Sequence, residues 1–423
     1  MGRTGQAAER RASGASQGPL GPAERSDPAA NNVTERSDPA PKKATERALI
    51  NRLRDRLQTD PGALDDFLAN HSSPIIEKDR ATFLFRGEVD EIRVRHRVVG
   101  LPDPLAMKRI EGTDLWYAKT LFPDGSRVEY QLEVRHGDHY ERFNDPRNPM
   151  LAHSPFGPSS VCAVGYEAPE WIHHNPQARP GRLIERQVTS KALRREQQVI
   201  LYLPARFSKA QRYPLLVVHD GADYLNFASM KTVLDNLIHR LDVAPTIVAF
   251  VPPRDRLREY PNHAPHARFL TRELVPALTA SLPLIDEPES RCLMGSSFGG
   301  IAALSTAVRY PGFFGSLLIQ SASLVFSELG QDHGGGPAFD PVVKFVNKYR
   351  SRPSAPVPRM FASCGAYEPL ITYNRAMLPV FEDAGMDVNY LETRDGHNWE
   401  NWRNQLQSAL SWIFPGAQKF VYE

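Results

Sequence analysis

The sequence has little cysteine. Three residues in 423, Cys162, Cys292 and Cys364, exclude a disulfide framework. They are odd in number, widely spaced and set among apolar or small residues, so they read as buried free thiols of a reducing compartment. It also lacks any apolar run approaching the ~20 residues of a membrane span. Nor is there an excess of charge of one sign: 51 Lys and Arg stand against 49 Asp and Glu, a net charge of +2. That balance gives no bulk attraction to nucleic acid or to an anionic membrane. Arg10-Arg11 has no apolar segment after it, so no secretory or twin-arginine signal is expected, and the protein is read as cytoplasmic. No His/Cys cluster has metal-ligand spacing, and no Gly-x-Gly-x-x-Gly or phosphate-binding loop occurs, so neither metal nor cofactor is expected. The length allows two domains and a sizeable core.

Residues 1–44 are nearly free of large apolar side chains. Such a segment cannot bury enough surface to offset its ordering entropy, and a disordered tail is expected. Glu24-Arg-Ser-Asp-Pro-Ala29 recurs there as Glu35-Arg-Ser-Asp-Pro-Ala40, a local duplication to which no function attaches. Short helices are expected over Thr45–Leu57 and Pro61–Ala69. From Arg80 the apolar period becomes two, in Thr82–Phe85, Glu91–Val99 and Arg127–Val134. Turn residues at Arg86-Gly87, Pro102-Asp103, Pro123-Asp-Gly125 and His136-Gly-Asp138 separate these strands. The pattern predicts a small immunoglobulin-like β-sandwich of roughly 90 residues, closed by Asp145-Pro-Arg-Asn-Pro149. With its leading helices it forms an N-terminal domain over 45–168. Trp116-Tyr117 is expected in the sandwich core or at its rim, with a ligand platform as the alternative.

A linker is expected over 169–180, and a second domain over 181–423. There strands alternate with helical runs, at Leu183–Val188, Gln197–Leu203, Leu215–His219, Thr246–Phe250, Arg291–Gly295, Ser316–Gln320, Arg359–Ser363 and Asp387–Glu392. An antiparallel pair followed by β/α alternation predicts a mostly parallel sheet covered by helices on both faces.

The most informative stretch is Arg291-Cys-Leu-Met-Gly-Ser-Ser-Phe-Gly-Gly300. An apolar strand runs into Gly-x-Ser-x-Gly, and a helix of small and apolar residues follows. This is a nucleophile elbow, which makes the domain an α/β-hydrolase. The sharp turn lifts the Ser297 hydroxyl clear of the sheet, and glycine at 295 and 299 avoids collision with neighbouring backbone. Ser296 is the nearest rival but lies off the pattern. A serine hydroxyl needs a base, and in this fold the base follows in chain order. His397, in Gly396-His-Asn-Trp399 just beyond the last strand, fits that place. The acid that orients it is Glu368, directly after the strand Arg359–Ser363, or else Asp395. The Phe298 N–H is one oxyanion donor, and the loop His219-Asp-Gly-Ala222 offers a second at Gly221 or Ala222. Among Arg254, Arg256 and Arg258, at the carboxyl edge of the sheet, Arg254 and Arg258 are the preferred contacts for an anionic substrate.

These motifs carry a resemblance. The C-terminal domain resembles the esterase D-like branch of the α/β-hydrolases through His219-Asp-Gly221, the Arg254–Tyr260 loop, Gly295-Ser-Ser-Phe-Gly-Gly300, Cys364-Gly-x-x-Glu368 and Gly396-His-Asn-Trp-Glu-Asn-Trp402. The sandwich resembles the N-terminal domain of enterochelin (enterobactin) esterases through Gly112-Thr-Asp-Leu-Trp-Tyr117, Val128-Glu-Tyr130 and Asp145-Pro-x-Asn-Pro149. Together the likeness spans about residues 75–415. It implies a cytoplasmic serine esterase that opens the trilactone of a ferric catecholate siderophore to release iron, with Ser297 as nucleophile, His397 as base and Glu368 as acid. Feruloyl esterases, S-formylglutathione hydrolases and mycolyl transferases share the C-terminal motifs, and the sandwich is close to carbohydrate-binding modules. An acetyl or feruloyl carbohydrate esterase is therefore the alternative, and a non-catalytic binding protein on a hydrolase scaffold is the second.

Overall fold

The structure, a computed structural model, describes residues 48–327 and 336–417. The expected disordered tail and its duplicated hexapeptide lie outside these residues. From Ala48 onward the chain packs as one unit.

Two short helices lead, α1 (Leu49–Arg56) and α2 (Ala63–Asn70). A first sheet holds β1 (Ile75–Glu77) and β2 (Arg80–Arg86), and a second holds β3 (Glu91–His96) and β4 (Leu105–Ala106). Next come β5 (Lys108–Arg109), β6 (Leu115–Leu121), β7 (Ser126–His136), β8 (His139–Phe143), β9 (Leu151–Ser154) and β10 (Gly157–Val164). One sheet runs β1-β2-β6-β5; the other runs β4-β3-β7-β10-β9, with β8 on β7. Alternation along β2 serves two cores. Ala81 and Phe83 face the sandwich interior with Ile92, Val94, Tyr130 and Leu132, while Leu84 turns outward to meet Ile50, Leu53, Leu64 and Phe67 of the leading helices. Trp116 packs on the first core and donates its indole N–H to the Gly87 carbonyl at 3.1 Å, whereas Tyr117 packs on the second. The pair thus packs at the edges of two cores.

The sandwich does not close at Asp145–Pro149 as the sequence suggests. β10 follows and pairs with β7 over Ser160–Val164, inside the second sheet. Its Gly-Pro-Ser-Ser start, which pairs with β9, carries no period-two signal. The Asp145 turn instead anchors the core: its carboxylate accepts from Ser73 Oγ at 2.6 Å and from the Tyr130 hydroxyl at 2.7 Å.

Beyond residue 181 lies an eight-stranded sheet made of β11 (Arg182–Ser190), β12 (Arg195–Leu203), β13 (Leu215–His219), β14 (Ile247–Val251), β15 (Arg291–Ser296), β16 (Ser316–Gln320), β17 (Arg359–Gly365) and β18 (Asp387–Thr393). The order is β11-β12-β14-β13-β15-β16-β17-β18. β11 and β12 form an antiparallel pair, β12 is antiparallel to β14, and every later pairing is parallel. The molecule is thus an α/β-hydrolase preceded by a β-sandwich. The central strands are buried on both faces, as parallel strands between helix layers must be. In β13, Leu215 and Val217 join one core while Leu216 and Val218 join the other. The covering helices are α3 (Gly221–Asn226), α4 (Met230–His239), α5 (Arg256–Glu259), α6 (Ala264–Arg268), α7 (Val275–Ser281), α8 (Phe298–Arg309), α9 (Asp340–Ser351), α10 (Ile371–Asp383), α11 (Trp399–Asn404) and α12 (Leu406–Ile413). The strand order reverses at β13, which pairs with β14 on one side and β15 on the other. Open α/β sheets bind ligands at such a switch, outside the carboxyl ends of the strands. Among the described residues no helix is long and apolar enough to cross a membrane.

Candidate active site

Ser297 sits between β15 and α8 with φ 54° and ψ −120°. A non-glycine residue in so sparsely populated a region costs on the order of 1–3 kcal/mol. The glycines around it let the turn close. A Cβ on Gly295 would lie 2.3 Å from the Gly299 carbonyl carbon, and one on Gly300 would lie 2.6 Å from Ala322 Cβ. Gly299 is less confined than the sequence pattern implies: an added Cβ there would meet His219 Cβ at 3.2 Å and Asp220 Oδ2 at 3.3 Å, both side chains. Ser296, the rival serine, is fully buried. Ser297 is partly exposed, and its Oγ lies 3.3 Å from Ser323 Oγ.

Those contacts of Gly299 place the 219–221 loop directly against the elbow. Phe298 and Gly221 are the first residues of α8 and α3, so neither N–H has a helical carbonyl to reach. Gly221 has no room for a side chain, since a Cβ would come within 2.5 Å of Phe250 Cβ. Asp220 holds the loop. Its N–H donates to the Tyr260 hydroxyl at 2.8 Å, and its two carboxylate oxygens share the Arg256 Nε–H, at 2.9 and 3.0 Å. Burial pushes the Asp220 carboxyl up, against the pull of Arg256. Of the three arginines, then, the structure turns Arg256 inward, over the Tyr260 and Phe298 rings. Arg254 and Arg258 remain exposed.

Glu368 and His397 are brought together. Glu368 Oε2 contacts His397 Nδ1, and its Oε1 accepts from Ser321 Oγ at 2.5 Å and from the Gly365 N–H at 2.8 Å. Burial pushes the Glu368 carboxyl up, but the imidazole and these donors outweigh it and hold it below the usual carboxylate value. Trp402 extends the chain: its indole N–H donates to Ser321 Oγ at 2.9 Å, and its ring meets the His397 ring edge to face. Asp395 is not part of this chain. Its carboxylate accepts from the Gly396 N–H and Asn398 Nδ2, each at 2.7 Å, and lies beside Arg127. Spacing did not reveal Ser321, Ser323 or Trp402 as parts of the site. Trp402 stands within the Gly396–Trp402 motif, whereas the two serines sit in an unremarkable loop after β16.

A buried histidine pair backs the 219–221 loop. His219 Nδ1 lies 2.9 Å from the Met294 carbonyl and must donate to it. Its Nε2, 3.0 Å from His266 Nε2, is therefore an acceptor, and His266 carries its proton on Nε2. Burial lowers His219 to about 4 and His266 well below its ordinary value. Both free imidazoles titrate near pH 6.5. The unfolded chain thus binds more protons between about pH 6.5 and 4, and stability falls with pH across that window. His266→Gln keeps a donor that does not titrate. It should flatten the fall in Tm between about pH 6.5 and 5; equal slopes in both proteins would show that the pair carries no such linkage.

The comparisons with known proteins agree with this architecture. The family model described as "Putative esterase" matches residues 190–413. The iron(III) enterobactin esterase of Escherichia coli strain CFT073 is 24% identical over 339 residues, 73% of this chain and 81% of its own. The uncharacterized protein YjcH of Bacillus subtilis is 28% identical over 148 residues, and the match spans 33% of this chain and 62% of that relative, under two thirds of it. The crystal structure of the enterobactin esterase FES from Shigella flexneri in the presence of enterobactin superimposes with a TM-score of 0.66 at 20% identity, covering 82% of this chain and 97% of that one. The chain belongs to the esterase family, in the arrangement of its enterobactin-esterase-like members, a β-sandwich ahead of the α/β-hydrolase fold.

Proposed function

We propose that the protein is a serine carboxylic ester hydrolase in which Ser297 is the nucleophile, His397 the base and Glu368 the acid. The observation that carries the reading is the continuous chain Trp402–Ser321–Glu368–His397 beside a strained serine at a helix start. Glu368 fixes the Nδ1–H tautomer of His397, which leaves Nε2 free to take the Ser297 proton as Oγ attacks the ester carbonyl. The N–H groups of Phe298 and Gly221 receive the developing oxyanion. His397 then returns the proton to the leaving alcohol, and a water repeats the sequence on the acyl-enzyme. In the resting state Ser297 Oγ rests on Ser323 Oγ; the serine–histidine hydrogen bond of such sites often tightens only once substrate is bound.

For the substrate we propose an ester of a ferric catecholate siderophore, met in the cytoplasm, where three buried free thiols are at home. The support is the two-domain likeness to enterobactin esterases and the exposed Arg254 and Arg258. A ferric tris-catecholate is strongly anionic, while the protein is nearly neutral overall, so binding needs a local cluster of cations. Arg254 and Arg258, exposed in the loop after β14, are the candidates for it. The double variant Arg254→Gln/Arg258→Gln is expected to raise KM for a ferric catecholate ester about tenfold or more, while leaving KM for the neutral p-nitrophenyl butyrate within about twofold. Equal shifts on both substrates would mean that the loop has a structural role, and would favour a carbohydrate ester.

A further inference from the structure

The α/β-hydrolase fold supplies all the reacting groups, yet the two loops bearing the base and the acid both end in contacts with the sandwich. Arg127 of β7 is 1% exposed. Its N–H donates to the Arg394 carbonyl at 2.9 Å. One guanidinium nitrogen reaches Asp395 Oδ1 at 3.3 Å and Asn398 Oδ1 at 3.1 Å; the other reaches Glu129 Oε1 at 3.1 Å and Glu400 Oε2 at 2.7 Å. Asp395 and Asn398 bracket His397, and Asn398 Oδ1 also caps α11 by accepting from the Asn401 N–H at 2.8 Å. On the other loop Tyr367 precedes Glu368. Its ring packs on the sandwich core near Phe122, and its hydroxyl lies 2.5 Å from Ser126 Oγ. The Tyr367 carbonyl accepts from the Val99 N–H at 2.9 Å, and its own N–H donates to the Asp395 carbonyl at 3.1 Å.

We propose that Arg127, assisted by Tyr367, is a positioning residue through which the sandwich holds the His397 and Glu368 loops in register. The proposal rests on the assignment of Ser297, His397 and Glu368 made above. An apolar interface would join two domains at least as firmly as a buried guanidinium ringed by carboxylates. A planar fork with fixed donor directions does what apolar packing does not: it sets the orientation of what it binds. Here it binds the residue two before the base and the residue just after it. A shift of about 1 Å in that loop is enough to cost about 100-fold in rate.

The test uses the full chain with p-nitrophenyl butyrate. Active sites are counted by fluorophosphonate labelling carried to completion, so that kcat refers to folded, reactive protein. Arg127→Met is expected to lower kcat per labelled site about 10- to 100-fold with KM within about twofold. Arg127→Lys, which keeps the charge but not the fork, should recover only part of the loss. Tyr367→Phe keeps the ring on the sandwich core and removes only the hydroxyl bond; a severalfold fall in kcat is expected. Wild-type kcat per site in Arg127→Met, with fewer sites labelled, would make Arg127 a folding residue only and overturn the proposal. Should that variant yield no folded protein, Tyr367→Phe decides, and an unchanged kcat overturns it. Persistent activity of Ser297→Ala would instead sink the triad on which the proposal stands.

Discussion

Ser297→Ala is expected to abolish labelling by a fluorophosphonate probe and to lower kcat by a factor on the order of 10⁶, as removal of a serine nucleophile does in hydrolases that work as a unit. The variant should remain folded, because alanine fits the same space and the hydroxyl's hydrogen bond among the described residues is a long one, 3.3 Å to Ser323. The backbone strain at φ 54° is unchanged by the substitution. Ser296→Ala serves as the control. Its side chain is buried at the end of β15, so it offers no approach to a carbonyl carbon, and labelling should persist. Labelling that survives Ser297→Ala and vanishes with Ser296→Ala would shift the elbow by one residue. Complete inertness of the wild type toward p-nitrophenyl butyrate would favour a binding protein on a hydrolase scaffold.

The second large effect separates the two carboxylates near His397. Glu368→Gln should lower kcat at least about tenfold more than Asp395→Asn, with a ceiling on the order of 10⁴ for loss of a triad carboxylate. The geometry gives the reason. Glu368 faces Nδ1 of the imidazole, and two further donors, Ser321 Oγ and the Gly365 N–H, fix its carboxylate. Glutamine keeps that shape but gives up the charge that stabilises the imidazolium. Asp395 instead faces Arg127 and the start of α11. Asparagine there leaves a guanidinium less well balanced, which costs stability first and rate second. A larger kcat loss in Asp395→Asn, with both proteins folded, would move the acid to Asp395. Small losses in both would describe a Ser–His dyad.

How much of this was legible in the sequence depended on how local each signal is. The Ser297 turn could be read because five consecutive residues carry it, and His397 because it follows the last strand. The eight strands of the hydrolase sheet were read within two residues at most ends, since buried parallel strands are dense in Val, Leu and Ile. Arg127 was not legible. It opens Arg127-Val-Glu-Tyr-Gln-Leu-Glu-Val134, where alternation assigns it to a water-facing side. That side is in fact covered at Arg127 by the histidine loop, more than 260 residues later in the chain, and no period within a strand records a neighbour so distant. The arginine loop shows the same limit. Arg254, Arg256 and Arg258 share one polar run, and only the four-residue helix α5 decides that Arg256 turns toward Asp220. Strand β10 escaped because its first residues are small and mixed in polarity.

The ring of carboxylates around Arg127 has a consequence for how such a chain can change over generations. The β-sandwich is not a cassette that can be exchanged for a relative's while the remainder stays as it is. A recombinant that brought an uncharged residue to position 127 would keep Asp395 and Glu400 without the guanidinium that lies between them. Arg127 and Glu129 lie on one side of any join between the sandwich and the hydrolase sheet, and Asp395 and Glu400 on the other. Lineages in which the two halves drift apart must alter both together, so sequence divergence at position 127 should be matched by divergence at 395 and 400.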